Sequence, residues 1–242
     1  MHRPVDLEGV ELSVVIPAYN EAATVNGVTS GHRAMAAALA ASFEIVVCDD
    51  GSTDETWTSL LAAREVLPEL RLLRHETNLG IPTTMKRLYA EARGEWIYFA
   101  PADGQVPAEA LAVMWRVREG AALVVGRRVP RRDPTSRVLI AQLYSALLRA
   151  VFRLPVRDID SVKLYLADEL RRAPIRSSSN FFEAEILIAL CRRGATVREV
   201  VIPHRPRIAG RAKGVTPRSA ALAAWDVAAF AVRDLLGRVR AR

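Results

Sequence analysis

Lysine is almost missing from this chain. Of its 34 basic residues only Lys86, Lys163 and Lys213 are lysine, and the rest are arginine. Arginine's planar fork suits bidentate phosphate contacts, although GC-rich coding produces the same bias and the ratio alone assigns no partner. Cysteine is scarce as well. Cys48 and Cys191 cannot build a disulfide framework, and they read as buried thiols in a reducing cytosol. The four histidines lack the paired His or Cys spacing of a zinc site. No stretch approaches the roughly 20 apolar residues of a membrane span. Residues 220–232 come closest and are interrupted by Asp226. The start, MHRPVDLEGVEL, lacks the apolar core of a signal peptide. Neither GxGxxG nor GxxxxGK[ST] occurs, which removes the usual dinucleotide fingerprint and the P-loop. Aromatics make up 6% of the chain and are sparse in its basic half, so no nucleic-acid module is indicated.

What is present fits one α/β domain. The 242 residues are 50% hydrophobic and 25% charged, a globular composition without repeats or low-complexity linkers. The net charge of +7 is unevenly divided. Residues 1–126 carry 10 Lys/Arg and 17 Asp/Glu, net −7, whereas residues 127–242 carry 24 and 10, net +14. The second half is therefore expected to meet something anionic.

Apolar, β-branched runs at 11–16, 44–48, 70–74, 95–99 and 121–126 read as buried strands. Helical spacing falls between them, with Ser52 and Thr53 as N-cap residues for a helix through Val66. Five such alternations predict an α/β fold with a mostly parallel central sheet flanked by helices. The second half predicts helices over 135–152 and 181–193, short strands within 158–166 and 196–202, and basic loops over 127–134 and 203–217. A last helix would carry an apolar stripe of Leu222, Trp225, Val232, Leu235 and Val239. All four tryptophans fall on apolar patterns and read as core.

In such a sheet ligands bind beyond the C-terminal strand ends. Three polar clusters fall there: Pro17-Ala18-Tyr19-Asn20-Glu21, Asp49-Asp50-Gly51-Ser52-Thr53-Asp54 and Pro101-Ala102-Asp103-Gly104-Gln105. Tyr19 can stack on a base, Asp50 can accept from a base or ribose, and Asp103 and Gln105 offer hard oxygen ligands for Mg²⁺ or Mn²⁺. A single DDGS could be only a turn and a cap; three in this order point to a nucleotide site.

The runs VVIPAYNEAATV, VVCDDGSTDET, NLG and GEWIYFAPADGQVP resemble the family 2 inverting glycosyltransferases of the A-type nucleotide-sugar fold, in particular the dolichol-phosphate mannose synthase-like branch. The resemblance runs from about Leu12 to Lys213. It implies a single Rossmann-like glycosyltransferase domain over 1–242: a nucleotide-sugar and metal half (1–126), an acceptor half (127–215) and a C-terminal amphipathic helix (216–242). It also implies a UDP- or GDP-sugar donor, a divalent metal, and a polyprenyl phosphate acceptor met by peripheral contact at the inner face of the membrane. By resemblance Pro17, Ala18, Tyr19, Glu21, Asp50, Gly51, Asn78, Asp103, Arg207 and Lys213 bind the donor, and Asp103 and Gln105 hold the metal. Arg128 follows strand five as in the family's Gly-Ser-Arg, Arg137 takes the basic position that grips the acceptor phosphate, and Asp158 is the motif-matched base for a hydroxyl acceptor. The chain departs from the pattern at Pro101, where the family has the first Asp of Asp-x-Asp, and at Pro82, Thr84, Val162 and Ala212. Two alternatives stay open at this point: transfer to a hydroxyl of a glycan, protein or small molecule, and nucleotide-sugar binding without turnover.

Overall fold

The computed structural model describes residues 9–207 and 217–240. Within them the strands are β1 (Leu12–Ala18), β2 (Phe43–Asp49), β3 (Leu70–Arg74), β4 (Trp96–Phe99), β5 (Leu123–Arg128), β6 (Lys163–Leu166) and β7 (Val197–Ile202). The helices are α1 (Val25–Leu39), α2 (Thr56–Val66), α3 (Ile81–Glu91), α4 (Glu109–Arg116), α5 (Thr135–Phe152), α6 (Ala167–Arg171), α7 (Phe182–Arg192) and α8 (Pro217–Arg240).

The strands form one sheet in the order β3-β2-β1-β4-β6-β5-β7. All pairings are parallel except those of β6, which runs antiparallel to both β4 and β5. Every residue of β1 is buried, as a continuous apolar run in a sheet covered on both faces should be. Val14, Ile16 and Ile45 feed the core on one face, with α1 and α4; Val15, Val46 and Ile97 feed the core on the other, with α3 and α7.

This order fixes where a ligand can bind. From β1 the chain steps outward to β2 and β3, then returns to β4 on the opposite side of β1, so the direction of strand order reverses at β1. The crevice at such a reversal is the usual ligand site of an open α/β sheet. The antiparallel β6 serves the same edge. Its register pairs Tyr98 with Leu164 and Val125 with Lys163, so the segment entering β6 lies beside the ends of β4 and β5. Ile202 pairs with Arg128, which sends the chain after β7 to that edge too.

Local details differ from expectation in three places. Helix α2 starts at Thr56, so Ser52 and Thr53 do not cap it. Glu55 stands at the N-cap without a side-chain cap bond, and just before it Asp54 Oδ1 accepts from the Thr56 N–H at 3.0 Å. Ser52 Oγ instead accepts from the Asn20 N–H, and the Thr53 N–H donates to Asn20 Oδ1, which ties the first two strand-end loops together. On α8 the described stripe residues Leu222, Trp225 and Val232 are exposed, and Val227, Phe230 and Ala231 pack on the core. Phe230 meets Phe152 and Phe181 edge-on, and this aromatic cluster sets the rotation of the helix. Trp96 and Trp115 are buried, whereas Trp225 is not.

Candidate active site

The three strand-end loops, the entry to β6 and the segment after β7 enclose a cleft of about 520 Å³. Pro17, Tyr19, Glu21, Asp50 and Asn78 line it on the β1–β2 side, Asp103 and Gln105 behind β4, and Arg128, Arg137, Asp160, Lys163, His204 and Arg207 on the basic side.

Asp50 organises its own side of the cleft. Its Oδ1 accepts from the Leu79 N–H at 2.9 Å and from His75 Nδ1 at 2.8 Å, and its Oδ2 accepts from the Gly80 N–H at 2.8 Å. With most of its lone pairs engaged internally, Asp50 first of all holds the 75–80 loop. Gly51 explains how that loop comes so close. Its φ is +69°, and a Cβ there would sit 2.4 Å from the backbone carbon of Thr77. Gly51→Ala therefore combines backbone strain with a backbone clash, and should cost about 3 kcal/mol, a fall in Tm of roughly 6–12 °C by thermal melt. Gly51 and the fully packed Ala18 support the cleft without lining it.

Behind β4, Asp103 and Glu21 share Arg207. The guanidinium lies 2.7 Å from Asp103 Oδ2 and 3.3 Å from Glu21 Oε1. Asp103 Oδ1 accepts from the Gln105 N–H at 3.0 Å, and Gln105 Nε2 donates to Asp133 Oδ1 at 3.4 Å. These hard oxygen donors suit Mg²⁺ or Mn²⁺. Among the described residues no three His, Cys, Asp or Glu side chains converge on one point, so the described residues provide only part of a coordination shell. Asp103 and the Gln105 amide oxygen fit a cation whose remaining ligands come from a bound diphosphate.

The basic side is held by a buried ion-pair network. Arg128 forms a bidentate pair with Asp158, Nε to Oδ2 at 2.9 Å and Nη2 to Oδ1 at 2.7 Å, and also donates to the Asp160 carbonyl. Arg131 adds a contact to Asp158 at 3.5 Å and pairs with Asp133 at 2.9 Å. Burial alone would raise the Asp158 carboxyl, but its hydrogen bonds and charge contact with Arg128, aided by Arg131, outweigh this and hold it below the usual carboxylate range. The same competition between burial and Arg131 lowers Asp133. Burial pushes His204 down; its Nδ1 accepts from the Arg132 N–H at 3.0 Å, which leaves the neutral ring with its proton on Nε2.

Carboxyl groups depressed in the fold stabilise it fully above the unfolded value of about 4 and lose that contribution as pH falls through the lower folded value. His32 and His204, both pushed down by burial, are neutral in the fold and charged when unfolded, so they cost stability as pH falls below about 6.5. Thermal stability should therefore decline below about pH 6.5 and drop further below about 4, the second drop being shallower in Asp158→Asn. A pH series of melts checks this.

The comparisons with known proteins bear on this cleft directly. The family model described as "Glycosyl transferase family 2" matches residues 13–168. The chain belongs to glycosyl transferase family 2. It is 30% identical over 212 residues to glycosyltransferase AglD of Haloferax volcanii, covering 82% of this chain and 34% of that protein. It is 28% identical over 220 residues to a dolichol-phosphate mannosyltransferase of Pyrococcus furiosus, covering 86% of this chain and 60% of that protein. The chain thus spans about a third of one relative and three-fifths of the other. Among solved structures, glucosyl-3-phosphoglycerate synthase of Mycobacterium tuberculosis, crystallised with Mn²⁺, UDP-glucose and phosphoglyceric acid, superposes with a TM-score of 0.70 at 19% identity, over 96% of this chain and 84% of that one. That likeness is one of fold: a mostly parallel sheet with the same general layering of helices.

For a family 2 glycosyltransferase domain, the structure brings most of the anticipated residues together. Pro17, Tyr19, Glu21, Asp50, Asn78, Asp103, Gln105, Arg128, Arg137 and Arg207 all line one cleft. Lys213 lies outside the described residues. Asp158, the motif-matched base for a hydroxyl acceptor, does not line the cleft, and its carboxylate accepts two hydrogen bonds from the Arg128 guanidinium. Asp133, His204 and Lys163, to which the sequence gives no site role, line the cleft as well. Lys163 is fully buried at the cleft wall, 2.9 Å from Glu183 Oε2, with Tyr89 and Tyr165 hydroxyls donating to the same carboxylate. Sequence alone does not pair Lys163 with Glu183, because they come from β6 and α7.

Arg137 stands apart from the other cations of the cleft. Arg128 is paired with Asp158, Lys163 with Glu183, His204 lies 3.9 Å from Asp133, and Arg207 bridges Glu21 and Asp103. Arg137, in the first turn of α5, has no acidic partner among the described residues.

Proposed function

We propose that this domain transfers a sugar, with inversion, from a nucleotide-diphosphate sugar to a polyprenyl phosphate. The observation that carries the acceptor choice is Arg137, a cleft arginine with no acidic partner among the described residues, in a cleft whose other cations are already neutralised. An uncompensated guanidinium favours an anionic acceptor, and a phosphate is matched by its fork. The relative named for dolichol phosphate supports the same reading.

The chemistry follows from where the charges sit. The acceptor oxygen attacks the anomeric carbon opposite the leaving nucleotide diphosphate. A phosphate monoester is largely ionised near neutral pH, so it needs orientation more than deprotonation, which is consistent with Asp158 being committed to Arg128. Tyr19 and Asp50 would border the nucleoside, and the Asn78–Gly80 turn held by Asp50 would shape its pocket. A Mg²⁺ or Mn²⁺ ion at Asp103 and Gln105 would act as a Lewis acid toward the diphosphate. Arg207, already at Asp103, would share in neutralising the charge that builds on the leaving group. Arg128, fixed by Asp158, and Arg137 would hold the acceptor phosphate in line.

Two measurements bear on this reading. Arg137→Ala should raise the acceptor KM by roughly 10- to 100-fold, the value of one charge-assisted contact, and leave the donor KM nearly unchanged. An equal loss on both substrates would remove Arg137 from the acceptor site. A thermal-shift panel of UDP- and GDP-sugars, with and without Mn²⁺, should show one nucleotide stabilising the fold by mass action and so name the donor.

A further inference from the structure

Asp226 interrupts an otherwise apolar stretch of α8, and its contacts give the interruption a purpose. Leu222, Asp226 and Phe230 recur every fourth residue and so share one face of the helix. Leu222 lines the cleft, and Phe230 meets Phe181 with 5.5 Å between ring centroids. Between them, Asp226 Oδ2 accepts from the Ser178 N–H at 3.2 Å and from the Ser179 N–H at 3.1 Å. Helix α8 therefore lies along the segment that precedes α7, and Ser178, Ser179 and Asn180 of that segment line the cleft.

The segment is tied down from two further elements. Glu185 of α7 accepts from the Arg176 and Ser177 N–H groups at 2.9 and 2.8 Å, and Lys86 of α3 donates to the Ser177 carbonyl at 2.6 Å. Four successive backbone N–H groups, an arrangement suited to an anion, are thus filled by two carboxylates. A phosphate would meet like charge there. What the segment offers the cleft is neutral: hydroxyls and an amide, which both donate and accept. Lys163 pairs with Glu183 at the start of α7 and donates to the Ser161 carbonyl at 2.9 Å, which brings Ser161 to the same side of the cleft. Ser161 lines the cleft and is 4% exposed, and its Oγ has no hydrogen-bond partner among the described residues. A buried hydroxyl without a partner costs free energy, and a ligand hydroxyl bonded to it removes that cost.

We propose that Ser161 and residues 178–180 form the wall of the cleft that receives the hydroxyls of the transferred sugar, and that Asp226 is the positioning residue that holds this wall from α8. This deepens the nucleotide-sugar reading given above and rests on it. The nucleoside would lie on the β1–β2 side, beside Tyr19, Asp50 and Asn78, so the wall and the nucleotide can be probed separately.

The test is calorimetry of the full chain, in Mn²⁺ throughout, with UDP against UDP-glucose and GDP against GDP-mannose. For the pair that binds, Asp226→Ala should weaken the nucleotide-sugar roughly tenfold and leave the nucleoside diphosphate within about twofold, because only the sugar reaches the loosened wall. Asp226→Asn keeps an acceptor oxygen for the two N–H groups and should restore most of the affinity. Ser161→Ala should show the same selective loss, roughly three- to tenfold, with α8 untouched. It decides the matter for the wall even where Asp226→Ala melts too low to measure, and Asp226→Asn then decides it for the positioning role. Equal weakening of nucleotide-sugar and nucleoside diphosphate, or the lack of a selective loss in Ser161→Ala or in Asp226→Ala, would overturn the inference. So would a loss in Asp226→Asn as large as that in Asp226→Ala. Failure of the wild type to bind any of the four ligands would remove the nucleotide-sugar reading itself, whereas binding without the selective losses would remove only this inference.

Discussion

Asp158→Ala is expected to be the most destabilising single substitution around the cleft, costing about 3–5 kcal/mol because it leaves a buried guanidinium without its counter-charge. Arg128 is 12% exposed and Asp158 9%, and the pair shares two hydrogen bonds below 3 Å. In a domain of this size the loss corresponds to a Tm lower by roughly 6–20 °C. Arg128→Ala should cost a similar amount, since it strands the carboxylate instead. The double substitution to a neutral, apolar pair should recover part of the loss, as removal of both buried charges usually does. These melts separate a structural ion pair from a catalytic base. Kinetics of Asp158→Asn, measured below its melting temperature, complete the argument. A general base would take with it roughly 10²- to 10⁴-fold of kcat and one limb of the pH profile. A residue that only positions Arg128 should mainly raise the acceptor KM and leave the shape of the profile intact.

Asp103→Ala should reduce kcat with the nucleotide-sugar by about 10²-fold or more, the scale of losing one preorganised electrostatic group at a developing charge. Asp103 touches both Arg207 and the Gln105 backbone, so its removal takes away a metal ligand and unseats a cation at once. Pro101 in place of a second acidic residue leaves Asp103 without a carboxylate two positions earlier to share the load, which is why the effect of this one substitution should be large. The stability cost should be small, because the side chain borders open space in the cleft. Calorimetry of nucleoside diphosphate binding with and without Mn²⁺ gives a second readout. The wild type should bind more tightly with Mn²⁺, and Asp103→Ala should show no such gain. Metal-dependent transfer retained in Asp103→Ala would remove the ion from that carboxylate.

Much of this cleft was legible in the chain because its parts are local. β1, β2 and β4 are short apolar runs, each followed at once by polar residues, and parallel pairing then aligns those ends automatically. Tyr19, Asp50 and Asp103 meet for that reason alone. What sequence could not supply came from long-range pairing. The antiparallel insertion of β6 between β4 and β5 brings Lys163 against Glu183 and places Asp158 across from Arg128, contacts that no spacing encodes. The cap of α2 was misplaced because Ser52 and Thr53 are better used to bond the Asn20 loop. The helical stripe places Trp225 in the core, yet Phe230 anchors α8 through the Phe152–Phe181 cluster and turns Trp225 outward.

The central claim, sugar transfer onto a lipid phosphate, is tested most directly by incubating the protein with the donor identified by thermal shift and two acceptors of equal chain length, a polyprenyl phosphate and the corresponding polyprenol. Mass spectrometry of the organic phase should show one hexose added to the phosphate-bearing lipid, with the alcohol unmodified, and Arg137→Ala should suppress that product. Glycosylation of the alcohol in preference to the phosphate, or of neither lipid while a water-soluble hydroxyl acceptor is modified, would contradict the account.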